Sequence, residues 1–331
     1  MVSLINYYVL FDLAQQWGKG KAAAVDGKLR KIYEENLIAE MHIRYGSKGG
    51  IAYHHIADNY IALFSTFIPC GVWEAVQIIE GLLKNASDIQ PQIVHGDTQA
   101  QSTVVFALAY LLGIQLMPRI RNWKDLVFYK AHKTDTYKHL NSLFKEIIDW
   151  SLIETHWQDM LQVVLSIKQG KLSSSALLRK LGTYSKRNKL YQALQELGRV
   201  IRTLFLLDYI SNIELREEIT AETNKVEAYN GFTDWISFGN PYTVIASNDP
   251  DEHEKAIKYT DIIANSVMLQ NVIDISDGVL QLVAEGYDIQ WEDLAGFSPL
   301  LTDHIKRFGD YYVNLSIKPK DISNIVKLPL C

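Results

Sequence analysis

Pro91-Gln92-Ile93-Val94-His95-Gly96-Asp97, then Gln101 to Leu112 (Gln-Ser-Thr-Val-Val-Phe-Ala-Leu-Ala-Tyr-Leu-Leu), then Ile114-Gln115-Leu116-Met117-Pro118-Arg119, is the stretch that decides the fold. It reads as an apolar strand ending in polar residues, an apolar helix, and a second short strand. Working outward, residues Ala22 to Phe67 are β-rich and Val72 to Lys84 carry a helical pattern. Strands followed by alternating helix and strand predict an α/β sheet. In that register Asp26 sits in or just after the first strand, and Asp97 closes a later one at its C-terminal end. That is the edge where α/β sheets place their sites.

From about Ala131 the pattern changes. Leu140, Leu143, Phe144, Ile147 and Ile148, then Trp157, Leu161, Val164 and Leu165, recur at helical spacing. Gly170 and the cluster Ser173-Ser174-Ser175 stop one helix and cap the next, predicted to begin near Ser174. Further helices are expected over Leu190 to Tyr209, Ile213 to Phe232, Glu252 to Glu285 and Leu300 to Phe308, punctuated by Asn248-Asp249-Pro250 and Gly286. The chain therefore divides into an α/β part at 1–130, an all-helical insertion at 131–215, and a helical remainder at 216–331.

The 331 residues are 48% hydrophobic and 21% charged, enough for a large core. The longest apolar stretch, Val104 to Met117, spans about 14 residues where a bilayer needs roughly 20, so it is expected in the core and no membrane is expected as a partner. Met1 to Leu10 has neither a basic start nor a small-residue cleavage site, which predicts a cytoplasmic protein. Cys70 and Cys331 show no metal-binding or disulfide spacing. A net charge of −5 argues against binding nucleic acid by bulk charge. The segment Arg179 to Arg202 runs against that average, with Arg179, Lys180, Lys186, Arg187, Lys189, Arg199 and Arg202 against a single acid, Glu196. A basic face of this kind can meet phosphates.

The carboxylates are the best candidates for chemistry, since divalent metals in phosphoryl transfer prefer hard oxygen ligands. Asp26 lies in Ala22-Ala23-Ala24-Val25-Asp26-Gly27, where an acid among small apolar residues needs a metal or a partner. Taken alone it reads more readily as a turn aspartate before Gly27. Asp97 is a metal ligand or the cap of the helix that follows. Glu227, in Asn224-Lys225-Val226-Glu227, shares a helical face with Asn224, so both could address a metal or phosphate, although a solvated face explains them as well. His54 and His55 alternate across a strand, so only one of them can join His95 and Asp97. A histidine-based phosphohydrolase is accordingly a minor reading. No phosphate-binding glycine loop and no serine-nucleophile elbow is present.

Twelve pieces taken in order do more than any one of them. They are Trp17-Gly18 before Val25-Asp26-Gly27; Ala57-Asp58-Asn59; Asp97-Thr98-Gln99 with Phe106-Ala107-Leu108 and Leu111-Leu112-Gly113; Pro118-Arg119-Ile120-Arg121; Leu177-Leu178-Arg179-Lys180-Leu181-Gly182; Arg202-Thr203-Leu204-Phe205; Asn224-Lys225-x-Glu227-Ala228; and Leu294-x-x-Phe297-Ser298-Pro299-Leu300 with His304-Ile305. With them the chain resembles the catalytic (DDE) region of the Tn-three family of replicative transposases.

The resemblance implies a ribonuclease-H-like mixed sheet, a large all-helical insertion between the second and third catalytic acids, and a helical C-terminal part. It places Asp26, Asp97 and Glu227 as first, second and third acid, holding two Mg2+ ions, with Mn2+ able to substitute. The implied reaction is cleavage of transposon ends and strand transfer into target DNA. Arg119, Arg121, Arg179, Lys180, Arg187 and Lys225 become candidates for DNA contacts. Double-stranded DNA, a homodimer in the transposition complex, and nucleoid association when bound to DNA are the expected partners and setting. Family members are much longer, with N-terminal domains that recognise transposon ends. The alternative is therefore a truncated, catalytically silent fragment that binds DNA or dimerises.

Overall fold

A computed structural model describes all residues except 33–34, 37–38, 43–46, 71–73, 185–187, 239–244, 246, 317–321 and 331. Two short helices, α1 (Val2–Tyr8) and α2 (Asp12–Trp17), lead into β1 (Ala22–Arg30), followed by β2 (Glu40–His42), β3 (Ser47–Ala57) and β4 (Ala62–Pro69). Then come α3 (Gln77–Lys84), β5 (Ile93–Gly96), α4 (Thr103–Leu112) and β6 (Gln115–Pro118). These strands form a six-stranded mixed sheet. β1 is central, antiparallel to β3 and parallel to β5; β5 is parallel to β6, and β3 carries β4 and β2 on its far side.

The central position of β1 follows from its residues. Ala22, Ala23, Ala24 and Val25 are buried, as a strand covered on both faces requires. Downstream, side chains alternate between faces. Asp26, Lys28 and Arg30 point to one face, while Gly27 presents its bare Cα to Glu74 and Ile51 on the other. The β5–α4–β6 unit matches the predicted strand, helix and strand. Gly113 ends α4 in the left-handed region at φ 83°, a conformation glycine adopts without penalty.

Beyond β6 lie β7 (Phe128–Lys130), β8 (Phe144–Ile147), α5 (Trp150–Thr155), α6 (Trp157–Lys168), α7 (Ser174–Tyr184), α8 (Lys189–Ser211), α9 (Ile213–Ile236), α10 (Pro250–Ala284) and α11 (Trp291–Leu294). The helix predicted through Leu140 to Ile148 is instead strand β8, parallel to β7. Its apparent helical face is not a buried one, because Leu140, Leu143 and Ile147 are exposed and only Phe144 and Ile148 are covered. Phe144 packs on Phe128 and stacks on Tyr137, with ring centroids 5.6 and 4.3 Å apart. The segment 131–215 is therefore not wholly helical. In α6 the covered face is Met160, Val164 and Ile167, while Trp157, Leu161 and Leu165 face outward. Leu300 to Phe308 forms turns and bends rather than the expected helix, and the short α11 precedes it.

α7 begins at Ser174, and the Ser173 hydroxyl caps it by accepting from the Ala176 N–H at 3.2 Å, as the serine cluster predicts; a second cap comes from another element. Glu80 of α3 accepts from the Ser173 and Ser174 hydroxyls and the Ser175 N–H at 3.1, 2.7 and 3.1 Å. α8 lies along α4 so closely that a Cβ on Gly198 would stand 1.7 Å from the Thr103 carbonyl oxygen.

α9 covers the face of the sheet that carries Asp26, and α10 packs on α9 and β4. By length and composition α10 could cross a bilayer. Its inner face is nonetheless tied into the fold by polar side chains. Asn265 exchanges two hydrogen bonds with the backbone of Ala62, completing the edge of β4, and Asn271 donates to the Pro299 and Leu301 carbonyls.

Candidate active site

Asp26 lies on β1, Asp97 just past the end of neighbouring β5, and Glu227 in the middle of α9. All three line one cleft of about 110 Å³, together with Val25, Arg119, Arg121, Thr223 and Val226. A larger hollow of about 610 Å³ at the entrance to β1, beside Lys19, Lys21 and Asp88, contains none of the three acids. The smaller cleft is the chemically informative one.

The carboxylates act on one another. The Asp26 pKa is pushed up to about 6, first by burial, then by the Asp97 carboxylate and, more weakly, by Glu227; the Gly27 N–H and His54 oppose the rise. A divalent cation, which prefers hard oxygen donors, is a chemical group that would relieve this repulsion on Asp26. The donor set fits a hard metal ion. Glu227 is turned aside as it stands, its Oε1 3.8 Å from Arg119 Nη1. Among the described residues, no group of three or more His, Cys, Asp or Glu side chains is gathered closely enough to hold an ion.

α9 sets the position of the third acid. Just before Glu227, Lys225 Nζ donates to Glu222 and to the carbonyls of Trp17 and Asp58. About two turns beyond Glu227, Asp234 meets both Lys28 and Arg30 of β1. The Asp58 carboxylate in turn accepts from the N–H groups of Gly20, Lys21 and Ala22 at 2.7, 3.0 and 3.3 Å, fixing the start of β1. A Cβ on Gly18 would overlap Asp58, which explains a glycine after Trp17.

The basic candidates separate. Arg119 and Arg121 line the cleft. Arg179 and Lys180 are exposed on α7, which packs against α3 rather than beside the acids. The Lys225 ammonium is engaged by the three oxygens just named and lies 5.2 Å from the Tyr60 ring centre. Arg187 falls outside the described residues.

The histidines also separate, as strand alternation requires. His54 faces α9, whereas His55 turns to α3, where Nε2 donates to the Ile78 carbonyl at 3.0 Å. Burial lowers the His55 pKa to about 4 and that of His95 to about 4, so both rings are neutral at pH 7. His95 Nε2 is 4.0 Å from Glu218, not from Asp97. This arrangement does not assemble a histidine metal site.

Asn230 is the residue that sequence reading missed. Asn224, the expected partner of Glu227, lines a different hollow with Arg216 and Thr220. Asn230, three residues after Glu227 instead of three before, donates its amide to Asp26 Oδ2 at 3.1 Å. Spacing alone allowed either asparagine. Only the side of α9 turned to β1 decides between them.

The fold and cleft define a mixed α/β domain with acids gathered in one cleft, and comparison with known proteins supplies its family. Residues 1–311 match the Tn3 transposase DDE domain, and the chain belongs to that family. It is 32% identical over 323 residues to the transposase for transposon Tn501 of Pseudomonas aeruginosa, covering 97% of this chain and 33% of that protein. It is 30% identical over 312 residues to the transposase for transposon Tn1546 of Enterococcus faecium, with 94% and 31% covered. For the gamma-delta transposase of Escherichia coli K12 the figures are 29% over 321 residues, 96% and 32%. The chain thus spans about a third of the length of these relatives.

Proposed function

We propose that this chain is the catalytic region of a transposase that cleaves DNA at transposon ends and transfers the strand to target DNA, with Asp26, Asp97 and Glu227 as its acids. The observation that carries the reading is the meeting of these three residues, from β1, β5 and α9, in one cleft with Arg119 and Arg121. The strand order, with three antiparallel strands and two parallel additions around β1, supports a ribonuclease-H-like core. In that core, 1–130 and 216–331 flank an insertion at 131–215.

DDE transposases use divalent metals, and two Mg2+ ions, replaceable by Mn2+, are the set proposed here. Such ions activate water or a 3′-hydroxyl for attack and stabilise the leaving oxygen. Asp26, Asp97 and Glu227 would hold them, with Glu227 exchanging its Arg119 contact for the ion. Arg119 and Arg121, on the rim of the cleft, would bind the phosphates on either side of the reacting bond and fix the strand in place. The exposed Arg179 and Lys180 form a second candidate surface for duplex DNA; Arg187 remains a candidate by sequence alone. Lys225 holds α9 in position. A homodimer on paired transposon ends, acting in the cytoplasm at the nucleoid, completes the reading.

A second reading, a catalytically silent fragment that retains DNA binding or dimerisation, draws on one observation: the chain spans only a third of its relatives' length. The two are separated by incubating the purified chain with Mn2+ and a pre-nicked transposon-end duplex. Cleaved or joined product that disappears in Asp26→Asn, Asp97→Asn and Glu227→Gln supports the enzyme. DNA retained without any product overturns it.

A further inference from the structure

Behind Asp26 a chain of buried polar side chains runs through the domain. Asn230 Nδ2 donates to Asp26 Oδ2 at 3.1 Å; Asn230 Oδ1 lies 3.0 Å from His54 Nδ1; His54 Nε2 lies 3.4 Å from Asp261 Oδ1; and the Tyr229 hydroxyl donates to the same Asp261 oxygen at 2.7 Å. His54 is 1% exposed and Asp261 0%. Isolated polar groups at such depth are costly, so a connected line of four from α9, β3 and α10 is an arrangement that the fold sustains at some expense.

The directions of the bonds are fixed by chemistry. An ionised Asp26 carboxylate only accepts, so the Asn230 amide must turn its NH2 toward Asp26 and its oxygen toward His54. His54 must then carry its proton on Nδ1 and donate it to Asn230. That leaves Nε2 facing the Asp261 carboxylate at 3.4 Å. Asp261 Oδ2 has no hydrogen-bond partner, so its contribution is concentrated on the oxygen shared by His54 and Tyr229. The His54 ring also sits edge-on to the Tyr229 ring, 5.4 Å between centres, which holds its plane. Each member therefore fixes the orientation of the next, and the last fixes a carboxylate oxygen of the cleft.

We propose that Asn230, His54 and Asp261 are positioning residues that orient the Asp26 carboxylate for a divalent cation, Asn230 directly and His54 and Asp261 through it. The inference rests on the reading of Asp26, Asp97 and Glu227 as a metal site. It assigns the backing of the first acid to α9, β3 and α10, and not to β1 itself. Metal-ligating carboxylates are commonly held by hydrogen bonds from groups behind them, and removing such a group typically weakens metal binding by about 10–100-fold.

The test uses the full chain and Mn2+ itself, with affinity read by electron paramagnetic resonance and fold by thermal melting. Asn230→Ala and His54→Leu are expected to weaken Mn2+ binding at least about 10-fold. His54→Asn, whose amide can replace the Nδ1 donor, is expected to recover most of that loss. A merely structural role would not produce this recovery. Tyr229→Phe is isosteric and keeps the fold testable if a larger change does not; it should lower affinity measurably, by less than Asn230→Ala. Wild-type Mn2+ affinity in folded Asn230→Ala or Tyr229→Phe, while Asp26→Asn still abolishes binding, overturns the positioning proposal alone. Unchanged binding in Asp26→Asn, Asp97→Asn and Glu227→Gln overturns the metal site on which it rests.

Discussion

Arg119 Nη1 stands 3.8 Å from Glu227 Oε1, so the third acid of the cleft is paired with a cation that belongs to the protein. The pair is partly exposed, with side chains 31% and 53% accessible, and such contacts contribute at most about 1 kcal/mol.

A competitor for the carboxylate and a binder of phosphate should separate in one variant. Arg119→Ala is expected to tighten Mn2+ binding by up to about 5-fold, because Glu227 no longer has to leave its partner. The same change should weaken retention of duplex DNA, through loss of a phosphate contact. Parallel Mn2+ and DNA titrations check this, and weakening of both would assign Arg119 to holding the cleft together.

Asp26 makes stability depend on pH in a direction opposite to most carboxylates. Its folded pKa, about 6, lies above the ordinary 3.8. The folded state therefore binds the proton more tightly, and stability present below about pH 4 is lost as pH rises through about 6. In metal-free buffer at pH 7, Asp26→Asn should be more stable than the wild type by on the order of 2–3 kcal/mol, and at pH 4 the two should converge. Urea melts across that range test the sign. Mg2+ at pH 7 should raise the melting temperature of the wild type and leave that of Asp26→Asn almost unmoved.

Glu80 works the other way. Burial pushes its pKa upward, but the Ser174 hydroxyl, the Ser175 N–H and the Lys84 ammonium outweigh it and hold the pKa down to about 2, against an ordinary 4.5. Its stabilising contribution is complete above about pH 4.5 and is lost as pH falls through about 2. Glu80→Gln should flatten this acid limb and loosen α7, which is read by hydrogen exchange at the start of that helix.

Gly198→Ala places a methyl group against the Thr103 carbonyl, a backbone atom with no rotamer to move aside. Overpacking of this kind costs about 1–3 kcal/mol or more, well above what helix propensity returns. A lower denaturation midpoint is expected, and an unchanged midpoint would show that α8 can slide on α4.

The legible parts of the sequence were those in which a local pattern met a local cause. Pro91 to Arg119 alternates short apolar runs with a helix bounded by glycine, and the strands and α4 follow from it. Asp97 was placed by a strand end, Asp26 by the apolar run that makes the first strand, and His54 and His55 by alternation. Leu140 to Ile148 misled because large apolar residues there recur every three or four positions without being buried together. Asn230, Asp261 and the capping of α7 by Glu80 were not legible, since each depends on a contact between elements far apart in the chain. Glu227 required the resemblance, because an exposed glutamate on a helix gives no sign of what lies opposite.

α9 is indexed against the sheet by its own contacts, Lys225 near its middle on the Trp17 and Asp58 carbonyls and Asp234 near its C-terminal end on β1. The stretch joining Asp97 to Glu227 is thereby relieved of any duty as a ruler. It can lengthen, shorten or exchange helices for strands, and the third carboxylate still arrives opposite the first two. On the proposed reading, surface added between Asp97 and Glu227 leaves the spacing of the three carboxylates unchanged.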